Sequence, residues 1–248
     1  MENQLNEKTF SNHSSGFVVH MIYLLITLFI YFVPTLWVNY TLNKHDDELP
    51  DMPFTGLEFG NQVLKEKDIN NVSILGDDKN GDHYDVINKK VGVKSERLDR
   101  KSLTSLTVVC HEIGHAIQDA ENYEPLRRRH SIIQKTRWIS RIGNLLTYIG
   151  IPAIAATQLF PLIKLCIIII LIATLMEVLT RIVTLNVELD ASFNRAMPII
   201  VKKIPKEYHQ SCKSILRVCA FTYVVDAMSS FLNLRNLLTW FRFIFLRR

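Results

Sequence analysis

Charge is scarce in this sequence and unevenly spread. Only 21% of the 248 residues are Asp, Glu, Lys or Arg, and none of these lies between Thr9 and Asn43. A chain that is 48% hydrophobic and 10% aromatic is too apolar to remain disordered. Cysteine is equally sparse: Cys110, Cys166, Cys212 and Cys219 include no CxxC pair, and Cys166 sits in an apolar run. That excludes a disulfide framework and gives no sign of a cysteine zinc site. With 9 Gly and 8 Pro, and no internal repeat, collagen-like and low-complexity architectures are excluded as well.

What the chain has is long apolar blocks. Residues 17–40 form the first, and at about 1.5 Å per helical residue they cover a hydrocarbon core of about 30 Å. The polar tail before it, residues 1–16, carries Glu2, Glu7 and Lys8, and the block ends in bulky Trp37 and Tyr40. Neither feature suits a cleaved signal peptide, so the block reads as a retained anchor. Residues 139–185 are too many for one crossing and are interrupted by Pro152, Thr157, Gln158 and Pro161. They are expected to form a transmembrane hairpin turning at 158–161. A last block, 218–246, carries Asp226, Arg235 and Arg242 and reads as a tilted span or an interfacial helix.

The formal net charge of +5 does not point to nucleic acid, because the basic residues flank the apolar blocks. Arg127, Arg128, Arg129, Lys135, Arg137 and Arg141 precede the hairpin, while Lys202, Lys203, Lys206, Lys213 and Arg217 follow it. The positive-inside rule then puts 41–138 and 186–217 together in the cytoplasm, with the lipid bilayer as a partner and the cell membrane as the location.

Between the first span and the hairpin lies a polar unit. Thr55 and Glu58 make a capping-box pattern opening a helix to about residue 65, and 72–75, 85–87 and 91–93 are short strand candidates. Residues 102–120 show apolar positions at three-to-four spacing and are expected to form an amphipathic helix packed on this unit or at the membrane surface.

That helix carries His111, Glu112, Ile113, Gly114 and His115, an HExxH pattern. Residues four apart share a helix face, so both imidazoles can reach one zinc ion, with Glu112 turned toward water on the metal. A catalytic zinc needs a third protein ligand. No Asp or Glu occurs between Glu124 and Glu177, position 121 is Glu121 where a third histidine of the metzincin kind would fall, and Asp119 is about 11–12 Å along the helix from His111. Glu177, Glu188 and Asp190 remain. Glu177 has Arg181 four residues on and reads as an intrahelical ion pair. Glu188 follows the hairpin, which returns the chain to the side of the histidines, and is the expected ligand. Asp190 lies about 200° around the helix from it and is assigned to support or capping.

Asp82-His83-Tyr84-Asp85, CHEIGHAIQDAENYEPLRRR and IVTLNVELDAS together resemble the corresponding stretches of the YugP-type membrane zinc metallopeptidases. The resemblance covers most of the chain and extends more broadly to HtpX-type membrane proteases. It implies zinc-dependent hydrolysis of protein or peptide substrates, with His111, His115 and Glu188 on the metal and Glu112 as general base. The fold expected is a mainly α membrane protein with about four transmembrane helices and a small cytoplasmic α+β zincin-like catalytic segment. His83, Tyr84, Tyr123 and Arg195 are candidates for stabilising the oxyanion, and the resemblance favours Tyr84. Two rivals stand beside this reading. An intramembrane protease would carry HExxH within a span, whereas here Arg97, Arg100, Lys101 and Asp119 flank the motif. A non-catalytic metal-binding scaffold or transporter accessory would not need Glu112.

Overall fold

The computed structural model of the chain describes residues 21–22, 25–26, 28–29, 32–157 and 160–222. The polar tail, much of the first apolar block, the centre of the expected hairpin turn and most of the last block lie outside the described residues. Helix α1 (32–44) ends against the polar unit. There the Thr104 hydroxyl donates to the Leu42 carbonyl (2.7 Å), and the Ser102 hydroxyl donates to Asp46 (2.7 Å). The end of the first apolar block is thereby tied to the start of the motif helix.

Helix α2 (Gly56–Glu66) opens with the expected capping box: the Thr55 hydroxyl accepts from the Glu58 amide (3.2 Å), and the Glu58 carboxylate accepts from the Thr55 amide (2.9 Å). It buries Phe59, Val63 and Leu64. A three-stranded sheet follows. Central β3 (Lys90–Val93) pairs in parallel with β1 (Ser73–Gly76) and antiparallel with β2 (His83–Asp85), so β2 is an edge. The strand expected over 85–87 lies instead at His83–Asp85. The reason is local: the Asp85 carboxylate accepts from the amides of Ile87 (2.9 Å) and Asn88 (3.0 Å), which turns the chain.

After the short α3 (Ser95–Asp99) comes the motif helix α4 (Leu103–Ala120). The Ser102 side chain caps it by accepting from the Ser105 amide (3.0 Å). Every residue from Leu103 to Gln118 is buried, so α4 is enclosed on all sides and not amphipathic. Leu106, Val109 and Ile113 are fully buried, each stabilising the core by about 1.5–3 kcal/mol. At its start two polar side chains face specific partners, Ser102 on Asp46 and Thr104 on the Leu42 carbonyl, and toward its end Gln118 faces the Val187 carbonyl and Asp190.

Helix α5 (Glu124–Leu145), with Pro125 in its first turn, passes through a wide turn at Leu146–Gly150 into α6 (Ile151–Ala156). The basic run ahead of the expected hairpin is therefore already helical. Helix α7 (Phe160–Leu189) returns antiparallel to α5, continues through widened helix at Asp190–Ala196 into α8 (Met197–Lys203), and α9 (209–222) closes the described fold. Gly143 lets α5 and α7 touch, since a Cβ there would come within 2.7 Å of the Ala173 Cβ. Among the described residues one helical run, Pro161–Lys203, is long and apolar enough to cross a membrane. Its outward Leu165, Ile172 and Ile182 are each more than half exposed, a surface that water disfavours.

Candidate metal centre

Two elements make the centre. Helix α4 presents His111 and His115 one turn apart, with ring centroids separated by 5.0 Å. The end of α7 brings Glu188, which is 0% exposed, so that its Oε2 lies 3.3 Å from His111 Nε2 and 3.1 Å from His115 Nε2. One donor atom from each of the three residues lies within 4.8 Å of the others. Gly114, inside the motif, makes this approach possible: a Cβ there would meet the Ala191 carbonyl oxygen at 2.6 Å, and the ligand-bearing segment would have to retreat.

The outer ring nitrogens are also held. The Gln118 amide nitrogen donates to the Val187 carbonyl (2.9 Å) and the Asp190 carboxylate (2.8 Å), which leaves its oxygen facing His115 Nδ1 at 2.9 Å. The Ser192 hydroxyl donates to the Leu216 carbonyl (3.4 Å) and so accepts from His111 Nδ1 (3.0 Å). In the neutral tautomer selected by this network, each imidazole carries its proton on Nδ1 and turns its Nε2 lone pair toward the Glu188 carboxylate. Three buried lone-pair donors converging on one point repel each other unless a cation lies between them. Two nitrogens and one oxygen, with oriented outer partners, fit zinc. Glu177, by contrast, pairs with Arg181 (3.2 Å) and stays away from this point.

Arg129 is the residue that sequence reasoning misplaced. Its Nη1 lies 2.8 Å from Glu188 Oε1, so it belongs to the centre and not to the membrane flank. The available signal was helical spacing: Arg129 follows buried Leu126 by three residues and shares its face.

Glu112 is buried, yet among the described residues it makes no hydrogen bond or ion pair. It opens with His115 and Arg129 onto a cleft of about 410 Å³, walled by Tyr84 of β2 and by Leu126 of α5. In the metal-free chain burial pushes its carboxyl up to about 7; His111 opposes this, Glu188 adds to it, and Arg129 and Arg97 oppose it. Tyr84 lines the same cleft, with its hydroxyl donating to Asp119 (2.7 Å); burial first, then Asp119, hold the phenol well above its usual value. Asp119 also pairs with Lys89 and faces the sheet. His83 is at the cleft with Nδ1 2.8 Å from the Gly81 carbonyl. Tyr123 and Arg195 lie elsewhere: Arg195 stacks over the Tyr123 ring and pairs with Glu121 and Asp190. A larger cavity of about 690 Å³ beside Arg195 holds neither histidine nor Glu112, so the smaller cleft is the one with chemistry.

Gln118→Leu removes the acceptor that orients His115. It is expected to lower zinc affinity by about 10–100-fold, read by competition with a colorimetric chelator. Wild-type affinity in that variant would remove Gln118 from the account.

Residues 20–242 match the protein family described as "Putative neutral zinc metallopeptidase". Over 155 residues the chain is 32% identical to the "Putative membrane protease YugP" of Bacillus subtilis (strain 168). That match covers 62% of this chain and 65% of the relative's own length. No solved structure matches the chain. The family match extends over most of the sequence and takes in both the HExxH helix and the Glu188 segment, and the chain belongs to the family described as putative neutral zinc metallopeptidases.

Proposed function

We propose that this chain is a membrane-anchored zinc endopeptidase with its catalytic segment on the cytoplasmic side. The observation that carries the reading is Glu112, a buried carboxylate with no hydrogen-bond or ion-pair partner among the described residues, facing a cleft beside three convergent metal donors. Held by His111, His115 and Glu188, zinc supplies Lewis-acid polarisation of a peptide carbonyl and of the attacking water.

The chain's own residues do the rest. Glu112 takes the proton of the attacking water on its carboxylate and delivers it to the leaving amine, a task suited to a carboxyl whose affinity for protons is raised by burial. Arg129 stands 2.8 Å from the second oxygen of Glu188 as an ion pair and offsets the charge of that buried carboxylate. Tyr84 keeps its proton and is the proposed donor to the carbonyl oxygen, exchanging its bond to Asp119 for one to substrate. Among the described residues strand β2 pairs only with β3, and its outer edge is the proposed place for an extended peptide lying along the cleft.

A metal-binding scaffold would need both histidines but no carboxylate between them. The test uses the full chain in detergent with unfolded casein: hydrolysis that stops with a chelator and returns with zinc supports the enzyme. A zinc-loaded chain that cleaves nothing would favour the scaffold.

About four spans are proposed, with the α5–α7 hairpin returning to the side it left. The exposed apolar residues of α5 (Trp138, Ile142, Leu145) and of α7 (Leu165, Ile172, Ile182), with the flanking basic residues, support this. Single cysteines at Lys79 and Lys203 are expected to label from the cytoplasmic side only. Labelling from opposite sides would overturn the topology.

A further inference from the structure

The cleft onto which Glu112 and His115 open has apolar walls that the proposed chemistry does not use. Val86 and Ile87, in the turn after β2, line it, and so do Leu126 and Ile133 of α5. Leu126, His130, Ile133 and Arg137 recur at helical spacing, so one face of α5 is turned to the cleft. A single volume of about 410 Å³ reaches from this apolar wall to the carboxylate of Glu112.

Most polar side chains along the cleft already have partners. His83 faces the Gly81 carbonyl (2.8 Å), Tyr84 donates to Asp119 (2.7 Å), and the Gln134 amide nitrogen faces His130 Nε2 (2.8 Å). Arg129 faces Glu188 (2.8 Å). Asp85 turns its carboxylate to the chain that follows, accepting from the Ile87 amide (2.9 Å), the Asn88 amide (3.0 Å) and the Asn88 side chain (2.7 Å). The turn so braced holds Ile87 67% exposed beside the cleft. It is a preformed apolar wall, which a ligand can cover without first ordering it. Covering Ile87 and Ile133 favours apolar surface alone, because a charged or amide side chain laid against them loses water and gains no partner.

We propose that Val86 and Ile87 on one side and Leu126 and Ile133 on the other form the pocket for a large apolar side chain next to the bond to be cut. The substrates are then extended segments with Leu, Ile, Val, Met or Phe at that place. This inference rests on the endopeptidase reading above and adds to it the residues that select the substrate. The rival determinant is Arg137, an exposed cation one turn beyond Ile133, which would select an acidic side chain instead.

The test digests unfolded casein with the zinc-loaded full chain in detergent and reads the residues flanking every cut by mass spectrometry. Large apolar residues should be enriched on one side of the bond, with Leu cut about 10–100-fold faster than Ala at that place in matched peptides. Ile133→Trp, which fills the pocket, should move the preference to Gly and Ala. Ile87→Asp with Ile133→Asp should move it to Lys and Arg, whereas Leu75→Asp, at a half-exposed position on β1 outside the cleft, should leave it unchanged. All variants are compared at one bound zinc per chain, which reports an intact centre.

A readout without turnover uses Glu112→Gln and fluorescein-labelled Gly/Ser peptides with a single central Leu, Ala or Asp. Fluorescence anisotropy should show the Leu peptide bound about tenfold more tightly, a difference lost when Ile87→Asp and Ile133→Asp are added. Hydrolysis with no positional preference, a preference for Asp or Glu, or a wild-type pattern in both pocket variants would overturn the pocket and leave the enzyme standing. A zinc-loaded chain that cuts nothing would overturn the endopeptidase reading. Equal binding of the three peptides would overturn the pocket whether or not the chain cuts.

Discussion

Glu188→Gln is expected to strip the protein of zinc. Both imidazole Nε2 atoms converge on Oε2 of this carboxylate, and the residue is wholly buried, so no water can substitute for the lost charge. The neutral amide is a poor ligand, and Arg129 loses the anion it faces, leaving a cation beside the cation site. Zinc affinity should fall by more than about 100-fold, beyond the 10–100-fold typical of outer partners. Asp190→Asn should do far less, because Asp190 reaches the centre only through Gln118, and Asn retains an acceptor oxygen. The reverse order of effects would make Asp190 the ligand.

Glu112→Gln should have the second large effect, on turnover and not on metal. Glu112 is not among the three convergent donors, so zinc should stay bound, while casein hydrolysis should fall by about 10²–10⁴-fold with the loss of the general base. A second readout does not depend on activity. In the metal-free chain the Glu112 carboxyl is raised from 4.5 to about 7, mainly by burial, so the stability it allows is complete below the lower value and is lost as pH rises through the higher one. The melting temperature of the metal-free wild type should therefore drop relative to metal-free Glu112→Gln as pH climbs through that window. Parallel curves would mean that the carboxyl is not held in an apolar, unpartnered setting.

What the sequence reveals of this site follows from which interactions are local. The four-residue spacing of His111 and His115 is one helical turn, and the capping box at Thr55 and Glu58 is a contact between neighbours, so both are legible in a linear string. Glu188 was reachable because carboxylates are so few between Glu124 and Asp190. The enclosure of α4 was not legible, since its serines, threonines and Gln118 look like a wet face until their partners are known: Asp46, the Leu42 carbonyl and Asp190, each more than 50 residues away. Arg129 was hidden for a related reason. In a string it is one of three consecutive arginines before an apolar block, and only the return of α7 gives it an anion. The shift of β2 to His83–Asp85 came from a side chain competing for backbone amides, a choice that β propensity does not register.

The most direct test of the account is zinc content per chain after dialysis against a mild chelator, measured in parallel for the wild type, Glu112→Gln and Glu188→Gln. The account predicts one zinc in the wild type and in Glu112→Gln and none in Glu188→Gln. A full equivalent retained by Glu188→Gln, or none in the wild type, would contradict it.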